Sequence, residues 1–216
     1  MGKKIISFSL WGNKDLYNYG ALSNVDEAKE IYPDWICRFY VHNRSPVIDQ
    51  LRAKECEVIP MDIEQQWAPL FWRFNAISDP DVDFVLFRDC DSRVNWREEG
   101  AVREWLKTDK ILHLMKDYPA PHATETILAG MWGMRGHTIT NMSDLIKTWI
   151  NKSNMSNKYV DQDFLRCIIW PMFKHSVLNH GVKSPAGEAI PFPPHKPMKY
   201  GEYVGMVIAP GTKPKY

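Results

Sequence analysis

The chain has 216 residues, a formal net charge of +1 at pH 7, and 44% hydrophobic and 25% charged residues. This length allows one well-buried domain, and the composition excludes a disordered or fibrous protein. Because the charges are balanced and no dense stripe of Lys and Arg occurs, nucleic acid is not an expected partner.

No segment has the pattern of a membrane span or a secretory signal. No apolar run approaches the length of a bilayer, and the N-terminal Met-Gly-Lys-Lys leads directly into a predicted strand. The 4 cysteines are scattered and lack a C-x-x-C spacing, which argues against a zinc site and a disulfide framework. We therefore expect reduced thiols, a cytoplasmic location and a monomer or weak oligomer.

Strands and helices alternate in the first part of the chain. The pattern predicts a strand at 5–10 and a loop up to Gly20. A helix at 21–31, a strand at 35–41, a helix at 47–54 and a strand at 56–60 follow. Such alternation favours an α/β fold with a mostly parallel central sheet flanked by helices.

The second part of the chain continues this pattern and ends in a region rich in Pro, Gly, His and Tyr. We predict this region, from Pro171 onward, to form a loop-rich cap over the site. Helices are predicted at 70–77, 99–106, 140–150 and 161–169, strands at 84–87, 111–115, 176–179 and 203–208, and a glycine-containing apolar segment at 126–134.

The apolar strand 84–87 leads into Arg88, Asp89, Cys90 and Asp91. Ligands of open α/β sheets bind beyond the carboxyl ends of strands. Residues two apart in an extended segment point the same way, so both carboxylates can share one hard cation such as Mg²⁺ or Mn²⁺. The motif predicts a metal that neutralises a diphosphate, and the alternative is a solvated acidic loop.

Further motifs follow in an order that matches a known family: Trp-Arg-Phe at 72–74, Ala-Gly-Met-Trp-Gly at 129–133 and Asp-Gln-Asp at 161–163. With them, the chain resembles a GT-A fold glycosyltransferase. Through segments 9–12 and 32–40 it looks like the small glycosyltransferase domains encoded by large algal viruses, the chloroviruses. The resemblance covers nearly the whole chain.

This resemblance implies a single GT-A (Rossmann-like) domain, with 1–110 as the nucleotide-binding half and 111–216 as the acceptor-binding half. It also implies a host-cytoplasmic location if the protein is virus-encoded. The expected donor is a nucleotide-diphosphate sugar, a UDP-sugar first, bound with Mn²⁺ or Mg²⁺. The expected acceptor is a glycan or glycoprotein.

By the same resemblance, Asp91 would bind the metal directly, while Asp89 would contact the ribose or a metal-bound water. Arg73 or Arg88 could add a positive contact to the diphosphate, or form structural ion pairs instead. A third metal ligand near the C-terminus is commonly a histidine, for which His195 is the candidate and a plain surface histidine the alternative.

The resemblance implies further donor-binding candidates, which are Cys90, between the two carboxylates, and residues from other parts of the predicted fold. Ser9, Leu10 and Trp11 would lie beside the base and ribose, with Trp11 stacking on the base or packing in the core. Ala129 and Gly130 would pass beneath the donor sugar, and a tight strand without a ligand is the alternative.

Asp161 and Asp163 are the candidates for the catalytic base. An inverting enzyme needs a carboxylate that takes the proton from the attacking hydroxyl. A retaining enzyme needs none, and the Asp-Gln-Asp pattern also occurs in retaining relatives of the glycogenin type. A helix cap is the structural alternative. The expectation is inversion.

Two other classes of protein fit parts of the pattern. In a haloacid dehalogenase-type phosphatase Asp89 would attack phosphorus, but Ser92 and Arg93 replace the Gly-Thr or Gly-Val that commonly follows. A carbohydrate-binding protein without catalytic activity could use the many aromatic residues, most of which are expected to pack the core.

Overall fold

We determined the fold from a computed structural model, which describes residues 2–118, 122–153 and 158–215. In this part of the chain, seven strands form one sheet in the order β3-β2-β1-β4-β6-β5-β7. Strand β6 runs antiparallel to β4 and β5, and the other neighbouring pairs are parallel. The strands are β1 Lys3–Leu10, β2 Ile36–His42, β3 Glu57–Met61, β4 Val82–Arg88, β5 Leu112–Lys116, β6 Met131–Arg135 and β7 Val177–Gly181. The predicted mostly parallel α/β sheet is confirmed.

Helices cover both faces of this sheet. They are α1 Asp15–Ile31, α2 Ile48–Ala53, α3 Trp96–Leu106, α4 Met142–Lys152, α5 Val160–Phe164 and α6 Trp170–Phe173, with 3₁₀ turns at Ala68–Ser78 and His122–Thr124. The segment Leu165–Ile169 joins α5 to α6 as a π-helical turn. No helix in the described residues is long and apolar enough to cross a membrane.

The core is divided by the sheet into two apolar layers. Ile5, Val85 and Phe87 pack on the face covered by the 3₁₀ segment and α4–α6, whereas Ile6 and Leu86 pack on the face covered by α1 and α3. Alternation of side chains along a strand sends neighbours into opposite layers. Strands β1 and β4 are apolar on both sides because both faces are covered.

Helix α1 begins at Asp15, so the predicted start at 21 is wrong. Gly20 was interpreted as a loop residue, but it lies inside the helix and is buried. A side chain at this position would overlap the Cys90 carbonyl oxygen. The glycine therefore allows α1 to pack closely against the loop that carries the acidic pair.

The strand predicted at 203–208 does not form. The backbone amides there find separate partners: the Val204 N–H donates to Asp117 Oδ2 at 2.8 Å, and the Ile208 N–H donates to the Asp91 carbonyl oxygen at 2.8 Å. The C-terminal segment is thus held against the loop after β4 without joining the sheet.

Candidate active site

A cleft of about 650 Å³ opens where β1 and β4 end. These strands are parallel neighbours, so the residues that follow them meet at one edge of the sheet. Seven of the predicted site residues line this cleft: Ser9, Leu10, Trp11, Arg73, Asp89, Cys90 and Asp91. We refer to it as the larger cleft.

A smaller cleft of about 290 Å³ adjoins the first. Its lining includes Ala129, Gly130 and Asp161. Arg73 and Asp89 line both clefts and form part of the wall between them. The two clefts therefore share charged groups.

Arg73 connects three parts of the site. Its guanidinium forms ion pairs with Asp89 and, at 3.2 Å, with Asp161 Oδ2. Its backbone is anchored to β1, because its N–H donates to Ser9 Oγ at 3.0 Å and its carbonyl accepts from Ser7 Oγ at 2.8 Å. The side chain is only 3% exposed, so its charge is stabilised mainly by these two carboxylates.

Asp89 and Asp91 fit a divalent cation. Burial, followed by the nearby charge of Asp89, raises the pKa of Asp91 to about 6. A bound cation would relieve this repulsion, and carboxylate oxygens are the ligands that Mg²⁺ and Mn²⁺ prefer. Within the described residues, no group of 3 or more His, Cys, Asp and Glu side chains is placed to hold an ion. The remaining ligands would thus be water and phosphate, as is usual for Mg²⁺.

Gly130 packs directly on Asp89. A Cβ atom at this position would overlap the Asp89 carboxylate. The glycine therefore lets the segment before β6 pass beneath the acidic loop, where the resemblance to GT-A enzymes implies the donor sugar.

Asp161 and Asp163 have different surroundings. Asp161 is buried, and its Oδ1 accepts from the Gln162 N–H at 2.9 Å. Burial raises the pKa of Asp161 to about 6, although the charge of Arg73 opposes this rise. Asp163 lies on the surface in an ion pair of 2.9 Å with Arg166, and it lines neither cleft.

Two more predicted residues lie outside both clefts. The Arg88 side chain turns into the core, where it pairs with Glu98 at 3.1 Å. His195 uses both ring nitrogens on its neighbours: Nε2 accepts from Arg97 at 3.0 Å, and Nδ1 donates to the Lys196 carbonyl at 2.7 Å. The structure does not bring either residue to Asp91.

The structure adds two residues that the sequence analysis did not single out. His122 lines the smaller cleft, and burial lowers its pKa. Lys158 lines both clefts. The sequence could have indicated His122 through its position after β5, because this strand ends at the same edge of the sheet as the strand that precedes Asp89. The only feature of the sequence that could have indicated Lys158 is its position shortly before the Asp-Gln-Asp motif.

The strand order, the single antiparallel strand and the cleft at the carboxyl edge define a GT-A fold. Comparisons with protein-family models and with curated protein sequences find no match. Among solved structures, the chain is similar to a glycosyltransferase involved in the glycosylation of the major capsid of PBCV-1. The TM-score is 0.55 at 16% identity, with 83% of this chain and 81% of that chain covered. The resemblance to a chloroviral domain is thereby confirmed in fold.

Other structures support the same assignment of fold. The galactosyltransferase LgtC, solved with donor and acceptor sugar analogs, gives a TM-score of 0.50 at 17% identity, with 82% of this chain and 73% of LgtC covered. The mannosyltransferase PcManGT from Pyrobaculum calidifontis, solved with GDP-Man and Mn²⁺, gives 0.51 at 10% identity, with 85% and 55% covered. A 4-diphosphocytidyl-2C-methyl-D-erythritol synthase from Anaerococcus prevotii also gives 0.51, at 9% identity, covering 88% of this chain and 91% of that chain. Since the last is not named as a glycosyltransferase, the reaction must be argued from the site.

Proposed function

We propose that the protein is a metal-dependent glycosyltransferase that moves a sugar from a UDP-sugar to a hydroxyl of a glycan or glycoprotein, with inversion. The observation that carries this proposal is the position of Arg73. Its guanidinium joins Asp89, which lines both clefts, to Asp161, which lines only the smaller one. One cation thus holds the carboxylate that we assign to the metal and diphosphate close to the carboxylate that we assign to the acceptor proton.

The larger cleft would hold the nucleotide. Its volume of about 650 Å³ lies within the range of cofactor pockets. Trp11 offers a surface for the base, and Asp89 and Asp91 would hold the metal. When bound, the metal would stabilise the negative charge that develops on the departing diphosphate.

The smaller cleft would hold the acceptor hydroxyl. The acceptor oxygen attacks the anomeric carbon of the donor sugar and forms a new C–O bond. The bond from that carbon to the β-phosphate oxygen breaks, and its electron pair leaves with the diphosphate. The hydroxyl proton passes to Asp161, whose pKa of about 6 makes it a stronger base than an ordinary aspartate.

The surroundings of Asp89 favour this role over attack on phosphorus. One of its oxygens is paired with Arg73, and its carboxylate packs on Gly130. A phosphatase nucleophile needs an oxygen with free access to the phosphorus. The two neighbours instead fit a carboxylate held in place for a metal or a ribose.

Calorimetric titration of the purified protein tests the function. UDP, UDP-glucose and GDP-mannose are titrated with Mn²⁺ and again with EDTA. We expect one nucleotide to bind in the presence of Mn²⁺ and to lose affinity in EDTA. Absence of binding to every nucleotide would contradict the proposed function. Nucleotide binding of equal affinity in Mn²⁺ and in EDTA would contradict the metal dependence.

A further inference from the structure

Lys158 is, with Arg73, a cation that lines both clefts. It lines both of them, as only Leu70, Arg73 and Asp89 also do among the described lining residues. It is exposed, and its ammonium lies 5.1 Å from the centre of the Tyr159 ring. No ion pair of Lys158 is found in residues 2–118, 122–153 and 158–215.

The charge balance of the site gives this cation a role. Among the residues that the structure describes, the clefts are lined by three Lys or Arg side chains and three carboxylates: Lys14, Arg73 and Lys158, and Asp89, Asp91 and Asp161. Arg73 is already shared between two of the carboxylates. Of the other two cations, Lys14 lines only the larger cleft, whereas Lys158 lies where the clefts meet and has no ion pair with another described residue.

In the proposed function the nucleotide lies in the larger cleft and the acceptor in the smaller one, so the reaction would create charge where the two clefts meet. A nucleotide sugar is an ester of the terminal phosphate, and this phosphate gains a negative charge when its bond to the sugar breaks. Only interactions that strengthen as the reaction proceeds accelerate it. A cation beside the breaking bond meets this condition, because the charge it opposes grows during the reaction.

We propose that Lys158 is a catalytic residue that neutralises the charge gained by the departing diphosphate. The inference rests on the proposed function and extends it to a residue of this chain. It requires that Lys158 bind the free nucleoside diphosphate more tightly than the intact donor. A lysine that only attracts phosphate would raise the affinity for the free diphosphate and for the intact donor by the same factor.

Binding measurements separate these roles without knowledge of the acceptor. UDP and UDP-glucose, and separately GDP and GDP-mannose, are titrated into the protein with Mn²⁺ at about pH 8, where a terminal phosphate is fully ionised. The variants are Lys158→Met, Lys158→Arg and, as a matched control, Lys174→Met. Lys174 is exposed and lines neither cleft.

We expect Lys158→Met to weaken binding of the free diphosphate by about tenfold and that of the sugar donor by less than about threefold. Lys158→Arg should keep most of the preference for the diphosphate, and Lys174→Met should match the wild type. Circular dichroism spectra verify that each variant folds, as expected for a substitution at an exposed side chain.

The outcomes distinguish this inference from the function on which it rests. Suppose that the wild-type protein binds nucleotides, and that Lys158→Met weakens binding of both ligands equally or of neither. This result would overturn the role of Lys158 but leave the proposed function standing. A wild-type protein that binds none of the four ligands would overturn the proposed function, and the inference with it.

Discussion

The chain contains two Asp-x-Asp pairs, and the structure places them differently. Both Asp89 and Asp91 line the larger cleft, whereas Asp161 lines the smaller cleft and Asp163 faces solvent beside Arg166. The first pair lies in a loop after a strand, and the second lies in α5. The turn that follows β4 brings both carboxylates of the first pair to the larger cleft, whereas residues two apart are separated by about 200° around a helix. The same spacing therefore provides two site carboxylates in one region and one in the other.

The largest effect is expected from the first pair. Asp91→Asn should lower nucleotide affinity in Mn²⁺ by about 100-fold, because it removes a charged ligand from the metal. It should not lower the melting temperature, since burial already disfavours the ionised form of this residue. Calorimetric titration and thermal unfolding measure both effects. Wild-type affinity in this variant would remove Asp91 from the metal site.

The second pair provides its own matched control. Asp161→Asn should reduce turnover of sugar transfer by about 100-fold, because the acceptor proton loses its base. Asp163→Asn should change turnover by less than about twofold, since it breaks only a surface ion pair. The two variants are compared in one assay of nucleotide release. Equal turnover of the two variants would contradict the assignment of the base to Asp161. A product that retains the configuration of the anomeric carbon would contradict it as well.

A smaller effect is expected where Gly130 meets the first pair. Gly130→Ala should weaken nucleotide binding by about tenfold, since the new methyl group overlaps the Asp89 carboxylate. A double-mutant cycle tests this cause: in an Asp89→Ala background, Gly130→Ala should have almost no further effect. If the losses in binding free energy of the two single variants add up in the double variant, the effect of Gly130→Ala does not arise from its contact with Asp89.

The smallest effect is a dependence of stability on pH. Burial raises the pKa of Asp91 to about 6, above the value of about 3.9 expected in an unfolded chain. The folded state therefore favours the protonated form, so ionisation destabilises the wild type at neutral pH. The melting temperature of Asp91→Asn should exceed that of the wild type near pH 7, and the difference should vanish well below pH 4, where the carboxyl is protonated in both states. A difference independent of pH would show that the carboxylate is not the cause.

The local pattern predicted much of the fold. The apolar runs of β1 and β4 and the position of Asp89 and Asp91 at the sheet edge agree with the structure, because burial on both faces requires continuous apolar strands. The start of α1 was wrong since Gly20 is needed for close packing on Cys90 and not for a turn. The last predicted strand was wrong since distant parts of the chain satisfy the two backbone amides: the Asp117 carboxylate accepts from Val204, and the Asp91 carbonyl accepts from Ile208.

The sequence by itself determined the α/β sheet and the acidic pair beyond β4, because these depend on periodicity and on short separations along the chain. Only the tertiary structure decided which candidates share a cleft. It buried Arg73 between Asp89 and Asp161, turned Arg88 toward Glu98, and left His195 with Arg97. It also brought Lys158 to the same wall as Arg73. The direction of a side chain depends on partners far away in the sequence, and no local pattern records them.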